Sequence, residues 1–365
     1  MPYLTDIFYN ASSIHAGGLQ VQQAVMQSRM TIAKHIGAKM SEIIFTSGAT
    51  EAINLAVLGL TRHAKPGVRH KIVTVGTEHA AVMDSMEFCR KCDWEVVHLP
   101  VNSCGEVEMD AARNIICDQT LLVCVMAVNN ETGVIQELKP LADLAHSKGA
   151  LFMTDATQAY GKIPLNVDEM GIDLMSFSGH KIYGPKGVGV LYRRNPKNAP
   201  TELEPLSFGG GQEGGVRSGT LNVPGIVGMA EAGRLMHDHH EEESARVRAI
   251  RERFEAAMLK LEGAKINGAE ARRSYNISNV TFTNANADAM MMALPHLLVS
   301  KGSACSSAKP KPSHVLTSMG RSLEETSRTI RFSFGRFTTD AEVDQLIADV
   351  SAAHENAREA VNGPL

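Results

Sequence analysis

Ile43-Ile44-Phe45-Thr46-Ser47-Gly48-Ala49-Thr50-Glu51 is the stretch of the chain that decides the fold. It joins a β-rich run over residues 43–45 to a pattern of helical period over residues 51–60, with a turn of small residues between them. Small residues at a helix start let backbone N–H groups approach an anion, and the helix dipole favours a phosphate there. An ordinary Ser or Thr helix cap explains the same residues, so this stretch alone leaves both interpretations open.

The same alternation continues on both sides of this stretch, from about residue 18 to residue 195. Further β-rich runs are separated by amphipathic stretches such as 82–92 and 138–147, and the runs cover residues 71–75, 95–99, 121–128, 150–154 and 187–192. Strands that alternate with helices predict βαβ units, a mainly parallel sheet and ligands bound at the carboxyl ends of the strands.

The C-terminal third of the chain has a different pattern. After a Gly- and Pro-marked loop over residues 205–224, a long helical pattern covers residues 226–261. Beyond it we expect strands at 276–282, 297–300 and 329–334, with helices at 287–294, at 313–319 and from 339 onward. The chain is therefore expected to form a large α/β domain over residues 1–239 and a smaller α+β domain over residues 240–365.

Composition limits the class of partner. The chain has 365 residues, 44% of them hydrophobic, which is enough for one large core and a smaller second one. Lys and Arg total 36 against 40 for Asp and Glu, so no basic field attracts nucleic acid or a membrane surface. Six cysteines are too few for a disulfide framework, and neither a secretory leader nor a membrane span is visible. We expect a cytoplasmic protein with a small-molecule or protein partner.

Two strand ends carry residues that can act together. Thr154-Asp155-Ala156-Thr157-Gln158 ends one β-rich run, and Ser176-Phe177-Ser178-Gly179-His180-Lys181 ends the next. Alone, the Asp could cap a helix and the Lys could be a solvated surface charge. Pyridoxal 5'-phosphate (PLP) chemistry needs both residue types, because a Lys forms the Schiff base and a carboxylate pairs with the pyridine nitrogen. Neighbouring strand ends can bring the two to one ring.

The segment from Ser178 to Gly187 resembles the PLP-lysine segment of NifS/IscS-type cysteine desulfurases, which are class-V aminotransferases of PLP fold type I. The resemblance covers residues 2–346 and includes, in the family's order, the segments Thr77-Glu78-His79, Val128-Asn129-Asn130-Glu131-Thr132-Gly133, Gly209-Gly210-Gly211-Gln212-Glu213, Arg217-Ser218-Gly219-Thr220, Gly302-Ser303-Ala304-Cys305 and Ile330-Arg331-Phe332-Ser333. Members of this family usually begin with a strand and loop upstream of the segment that matches Pro2-Tyr3-Leu4. Either Met1 is not the true start of the protein, or the protein lacks that piece.

The resemblance implies a role for each matching residue. Lys181 would hold the cofactor, Asp155 would pair with the pyridine nitrogen and Gln158 with the phenolic oxygen, while His79 would stack on the ring and help to move protons. Asn130 and Arg331 would lie around the cofactor and the substrate carboxylate. The phosphate would be held by Ala49, Thr50, Ser178 and His180, and by Thr220 of a neighbouring subunit. The last of these implies a homodimer.

Cys305 is the candidate second nucleophile. A lone cysteine is most often a small buried hydrophobe, but this one lies among Gly, Ser, Ala, Lys and Pro, with Lys301 and Lys309 near enough in sequence to favour thiolate. The resemblance makes it the persulfide carrier, which could also ligate an iron-sulfur cluster transiently. The pair Cys89 and Cys92 has redox or zinc spacing but lies in a helical pattern, so we expect it to be structural and expect no resident metal.

The resemblance therefore implies a PLP-dependent enzyme that converts L-cysteine to L-alanine. The sulfur would remain on Cys305 as a persulfide and pass to an acceptor protein, such as an iron-sulfur scaffold or a tRNA-thiolation relay. The same residues would serve a selenocysteine lyase, or less well an aminotransferase, which needs no second nucleophile. A non-catalytic paralogue is the alternative outside enzymes.

Overall fold

The chain folds into two compact units, and the computed structural model describes residues 2–64, 67–195, 201–302 and 312–362. The first unit contains residues 1–99, 109–127 and 137–240. The second unit contains residues 100–108, 128–136 and 241–365. Two short segments from the middle of the chain thus belong to the same unit as its C-terminal part.

The first unit is built on a seven-stranded sheet with the strand order β1-β7-β6-β5-β4-β2-β3. The pairs formed among β2, β3, β4, β5 and β6 are all parallel, whereas β7 is antiparallel to both of its neighbours, β1 and β6. The strands are β1 Ile43–Thr46, β2 Lys71–Val75, β3 Glu95–Leu99, β4 Thr120–Cys124, β5 Leu151–Asp155, β6 Leu174–Ser178 and β7 Gly189–Arg193. The expected α/β class with a mainly parallel sheet is confirmed.

Helices cover this sheet, and most of its strands are buried on both faces. Every residue of the edge strand β1 and of the inner strand β6 is buried, as is expected of strands covered on both faces. The helices of this unit are α1 Pro2–Thr5, α2 Ala16–His35, α3 Ala49–Ala64, α4 Ala80–Arg90, α5 Met109–Ile115, α6 Leu138–Ser147 and α7 Val223–Asp238. Among the described residues, no helix combines the length and the hydropathy needed to cross a bilayer.

The second unit packs helices against a three-stranded antiparallel sheet of order β10-β9-β8. Its core is aromatic: the rings of Phe254 and Phe332 lie 4.7 Å apart, and both side chains are fully buried. Its elements are α8 His240–Met258, β8 Ala264–Ile266, β9 Ile277–Phe282, α9 Ala287–Ala293, α10 His314–Ser318, α11 Leu323–Ser327, β10 Thr329–Ser333 and α12 Asp340–Asn362.

Three expected elements differ from the structure. The helical pattern over 226–261 is two helices, α7 and α8, separated at His239. The acidic first turn of α8 directly follows a basic last turn of α7, which suits a new helix start although the hydrophobic period continues. Residues 297–300 do not form a strand, since only Ser300 pairs, in an isolated bridge to Arg331.

The third difference concerns the strand expected over residues 121–128, which ends at Cys124. The Met126 N–H donates to the side-chain carboxyl oxygen Oε1 of Glu78 at 2.5 Å, so a side chain takes the place of a strand partner there. The later residue Val128 belongs to the second unit, where it forms an isolated bridge with Ile135.

Candidate active site

The carboxyl ends of four strands meet at one edge of the large sheet. Strands β2, β5 and β6 run in the same direction, and β1 shares it because both β1 and β6 are antiparallel to β7. Chain order reverses between β2 and β4, which is the kind of switch point at which α/β proteins bind ligands. We call the residues that follow these strands the carboxyl edge: 46–51, 76–81, 155–158 and 178–181.

One part of the carboxyl edge is shaped for an anion. Gly189 is in register with both Thr46 and Ser178, and a Cβ on Gly189 would lie 2.6 Å from the Cα of Gly48. The missing side chain therefore lets the turn before α3 approach β7. The first turn of α3 holds Ala49 and Thr50, the latter exposed, and presents the backbone N–H groups that a helix start leaves without helical partners.

Ser178, which ends β6, and His180 just after it complete an anion-binding cup with the turn before α3. Ser178 Oγ lies 2.8 Å from Nδ1 of His180, and it is also the nearest atom, at 3.8 Å, to the position of a Cβ on Gly48. Partial desolvation and the charges of the nearby lysines 181, 186 and 162 lower the pKa of His180 below its ordinary value. A neutral imidazole beside a hydroxyl can donate a hydrogen bond to a phosphate oxygen.

Asp155 ends β5 and is 3% exposed. Both the backbone N–H of Thr157, at 2.9 Å, and its hydroxyl, at 2.5 Å, donate to Asp155 Oδ1. Burial raises the pKa of Asp155, and the Thr157 hydrogen bonds and the nearby His79 oppose that rise. A carboxylate buried this deeply is most stable as an anion when a cation lies against it, which is what a protonated pyridine nitrogen supplies.

His79 and Glu78 follow β2. His79 Nδ1 accepts from the backbone N–H of Ala81 at 3.1 Å and caps α4, so the ring is fixed and its Nε2 carries the proton when it is neutral. Glu78 is fully buried, and burial, followed by the charge of Asp155, raises its pKa well above the ordinary value. No role is predicted for Glu78 from the sequence, although it lies three residues after the apolar strand β2 and within the matched segment Thr77-Glu78-His79.

Lys181 and Gln158 complete this part of the site. Lys181 is exposed at the end of a short 3-10 helix, Gly179–Lys181, and the next residue, Ile182, is buried and anchors the turn. Gln158 is half-buried, and its Oε1 accepts from Lys162 Nζ at 2.7 Å. The carboxyl edge therefore brings together the matched residues of the first unit, namely Ala49, Thr50, His79, Asp155, Gln158, Ser178, His180 and Lys181.

Thr220 belongs to none of these strand ends but to the segment between β7 and α7, where it is exposed. Two ion pairs fix this segment. Arg29 donates to both oxygens of Glu213 at 2.6 and 2.8 Å, and Arg217 donates to Glu51, in the first turn of α3, at 2.7 Å. No local pattern in the sequence signals these pairs, which join residues more than a hundred positions apart.

Asn130 and Arg331 lie in the second unit. Arg331 Nη1 donates to the backbone carbonyl of Asn130 at 2.9 Å. Among the described residues, no group donates to Asn130 Oδ1, which is itself buried. An acceptor left in this way suits a residue whose partner is a bound molecule. Cys305 and its neighbours 303–311 lie outside the described residues.

The side chains of the carboxyl edge fit PLP. A helix start with Thr, Ser and His around it suits a phosphate, a buried Asp suits the pyridine nitrogen, and a Lys lies at the neighbouring strand end. His79, fixed by its cap, presents a ring that can lie against an aromatic cofactor.

The chain is similar to known proteins along nearly its whole length. Residues 1–346 match the family model for aminotransferase class-V. The chain is 44% identical over 353 residues to a mitochondrial cysteine desulfurase of Arthroderma benhamiae, covering 96% of this chain and 70% of that protein. It is 43% identical to the cysteine desulfurase IscS of Edwardsiella ictaluri, covering 95% of this chain and 86% of that one. A solved NifS-like protein superposes with a TM-score of 0.88 at 32% identity, covering 97% and 93% of the two chains.

Proposed function

Because the chain belongs to the aminotransferase class-V family, we propose that it is a PLP-dependent cysteine desulfurase that converts L-cysteine to L-alanine and keeps the sulfur on Cys305. The observation that carries the proposal is the pair of neighbouring strand ends in which Asp155 is buried and Lys181 is presented beside an anion cup. The relatives' names do not favour a selenocysteine lyase, an aminotransferase or a non-catalytic protein.

The eight matched residues of the carboxyl edge would each hold one part of the cofactor. Lys181 would hold it covalently, Asp155 would keep its ring nitrogen protonated, and Gln158 would donate to its phenolic oxygen. His79 would lie against the ring. The phosphate would be held by the first turn of α3 with Ala49 and Thr50, by Ser178 and by His180. When bound, PLP withdraws electrons from the α-carbon of an amino acid.

Two groups of this chain would act on the substrate before sulfur moves. Arg331 would pair with the cysteine carboxylate, because its guanidinium can offer two parallel N–H donors. Its contact with the Asn130 carbonyl uses Nη1 and orients the group. The amine of Lys181 would take the proton from the substrate α-carbon, and His79 would help to move protons at the substrate.

Cys305 would then act as the nucleophile. Its thiolate attacks the substrate sulfur, so that an S–S bond forms and the C–S bond breaks, with the electron pair of that bond going to the substrate carbon. The carbon takes up a proton and leaves as part of alanine. The enzyme retains a persulfide on Cys305, and no external oxidant or reductant is needed.

The proposal also includes a homodimer and a sulfur acceptor. Thr220 is exposed on a segment fixed by two ion pairs, which supports a role toward the phosphate bound by a second copy. The acceptor would be a protein such as an iron-sulfur scaffold or a tRNA-thiolation relay. The five described cysteines are all free, which suits the reducing cytoplasm.

The decisive experiment supplies purified holoenzyme with L-cysteine and measures alanine together with the site of the added sulfur. We expect equal amounts of alanine and persulfide in the first turnover, with the extra sulfur on the peptide that contains Cys305. Cys305→Ser should bind PLP and respond to cysteine in its absorption spectrum but release no sulfur, because the residues that hold cofactor and substrate are untouched.

Cys92→Ser is the matched control, since Cys92 is an exposed free cysteine of the first unit. It should form persulfide at the wild-type rate. Sulfur found mainly on Cys89 or Cys92, with Cys305→Ser still active, would contradict the assignment of the nucleophile.

A further inference from the structure

Glu131 is a charged side chain that is fully buried in the second unit. Its backbone is fixed on both sides. The N–H of Glu131 donates to Asn129 Oδ1 at 2.9 Å, and its carbonyl accepts from Asn279 Nδ2, on β9, at 3.2 Å. A buried polar group is costly unless it is hydrogen-bonded, so the residues packed against the Glu131 side chain are expected to interact with its oxygens.

The first group packed against it is Ser313. The Ser313 hydroxyl donates to Glu131 Oε2 at 2.5 Å and also accepts from the backbone N–H of Leu316 at 3.2 Å, which caps α10. This hydrogen bond is short and joins two side chains that are far apart in sequence. The start of α10 is thereby tied to Glu131.

The second group is the backbone of Gly302. A Cβ on Gly302 would lie 2.9 Å from the same oxygen, Glu131 Oε2, and Gly302 adopts a φ of +60° that favours glycine. Gly302 and Ser313 are the residues on either side of 303–312, the stretch that contains Cys305. Both ends of that stretch thus converge on one carboxylate oxygen.

The same residues are connected to the expected substrate site. Ser300 and Arg331 exchange backbone hydrogen bonds at 2.8 and 3.4 Å, and Arg331 Nη1 donates to the carbonyl of Asn130, the residue before Glu131. We call this set the Glu131 cluster: Asn129, Asn130, Glu131, Ser300, Gly302, Ser313 and Arg331. This cluster therefore connects Arg331, the expected carboxylate-binding residue, to Gly302 and Ser313, which flank the stretch that contains Cys305.

We propose that Glu131 is a positioning residue for sulfur transfer, whose carboxylate fixes both ends of the stretch that carries Cys305. The inference rests on the proposed function. Cys305 follows Gly302 by three positions, and three extended residues span at most about 11 Å, so the place of Gly302 limits where the thiol can act. Displacing a reacting group by 1 Å can cost about 100-fold in rate.

The test follows one turnover of holoenzyme mixed with L-cysteine. Two signals are recorded: the change in the visible absorbance of the cofactor when cysteine binds, and the rate at which persulfide appears on Cys305. Glu131→Ala should leave the first signal and the KM for cysteine near their wild-type values while slowing persulfide formation by about 10- to 100-fold. Glu131→Gln keeps an oxygen that can accept from Ser313 and should recover most of the lost rate.

Ser313→Ala removes the hydrogen bond to Glu131 without changing Glu131, and it tests the proposal if Glu131→Ala fails to fold. Ser313→Ala also removes a helix cap. Ser322→Ala controls for that loss, because Ser322 caps the next helix, α11, by accepting from the Glu325 N–H at 3.1 Å. Ser313→Ala should slow persulfide formation by about 10-fold, and Ser322→Ala should not slow it.

Equal persulfide rates in Ser313→Ala and Ser322→Ala would overturn the inference. A proportional loss of the absorbance response and of the persulfide rate would also overturn it, since Glu131 would then act on cysteine binding rather than on sulfur transfer. Wild-type holoenzyme that forms no persulfide on Cys305 would sink the proposed function itself, and that result is distinct from either of the other two.

Discussion

The carboxyl edge of the first unit and the Glu131 cluster of the second unit are assembled in different ways. At the carboxyl edge, Asp155, Ser178 and Lys181 lie within three residues of a strand end, so the sheet itself fixes where their backbones are. In the Glu131 cluster only Arg331 lies within a strand, and the other members are on connecting segments held by hydrogen bonds between side chains and backbone.

This difference suggests a division of labour. A site built on strand ends is rigid before any ligand arrives and suits a cofactor that stays bound. A cluster held together by single hydrogen bonds suits the residues that receive the substrate and support sulfur transfer. We therefore expect changes at the carboxyl edge to alter the cofactor itself, and changes in the Glu131 cluster to leave the resting cofactor intact.

The largest effect is expected for Lys181→Ala. The visible absorbance band of the holoenzyme should disappear, because it needs a covalent bond between PLP and this amine, and alanine formation should fall by about 1,000-fold or more. Lys186→Ala changes an exposed lysine five positions away and should keep the band. A Lys181→Ala protein with an unchanged band would remove the carboxyl edge from its assigned role.

Asp155→Ala should have the next largest effect. Turnover should fall by about 100- to 1,000-fold while most of the PLP is retained, because the phosphate cup remains and the ring nitrogen loses its anionic partner. Asp155→Asn keeps the size but not the charge and should be almost as slow. Turnover and bound PLP are measured on the same preparations. Near-normal alanine production by either variant would rule out Asp155 as the partner of the ring nitrogen.

The two regions also differ in how far the sequence could predict them. The alternation of β-rich and amphipathic runs predicted the class of the sheet, and the residues at its strand ends followed from it. Asp155 and Lys181 could be paired on chemical grounds because neighbouring parallel strands end at the same edge. The strand boundaries were predicted less accurately, as at β4, where the hydrogen bond from Met126 to Glu78 depends on the tertiary structure.

Little of the Glu131 cluster could be predicted. Residues 128–136 belong to the second unit through pairings such as the bridge of Val134 with Arg273, which no local periodicity signals. Glu131 was part of a matched segment but had no role, since its contacts with Gly302 and Ser313 lie far away in sequence. Buried polar networks are specified by three-dimensional partners, and a single sequence does not record those.

Arg331→Lys tests, within the Glu131 cluster, whether the two regions have separate roles. The KM for cysteine should rise by about 10- to 100-fold, because an ammonium cannot make the bidentate pair with a carboxylate. The absorption spectrum without cysteine should match that of wild type. Arg331→Ala should raise the KM further. A changed resting spectrum in Arg331→Lys would break the division between the two regions.

The smallest effect is expected for Glu78→Gln, and it concerns stability rather than turnover. Burial raises the pKa of Glu78 above its ordinary value of 4.5, so between pH 4.5 and the folded pKa the folded chain holds a proton that the unfolded chain has released. The contribution of Glu78 to stability is therefore present below pH 4.5 and is lost as the pH rises toward the folded pKa. Gln has no such proton to lose.

Glu255→Gln in the second unit supplies the control of opposite sign. Glu255 is also buried, which by itself raises its pKa, but two hydrogen bonds from Arg273, at 2.7 and 2.8 Å, lower that pKa below 4.5 overall. Its contribution is complete above pH 4.5, so the stability difference between wild type and Glu255→Gln should be flat from pH 5 to 8.

Over the same range, wild type should lose stability relative to Glu78→Gln by up to about 1.4 kcal/mol per pH unit, until the folded pKa is reached. Thermal unfolding of cofactor-free protein measures both differences, because a cation bound at Asp155 would change the field at Glu78. A flat Glu78→Gln difference would mean that this carboxyl is ionised across the whole range and that the carboxyl edge carries a second negative charge near Asp155.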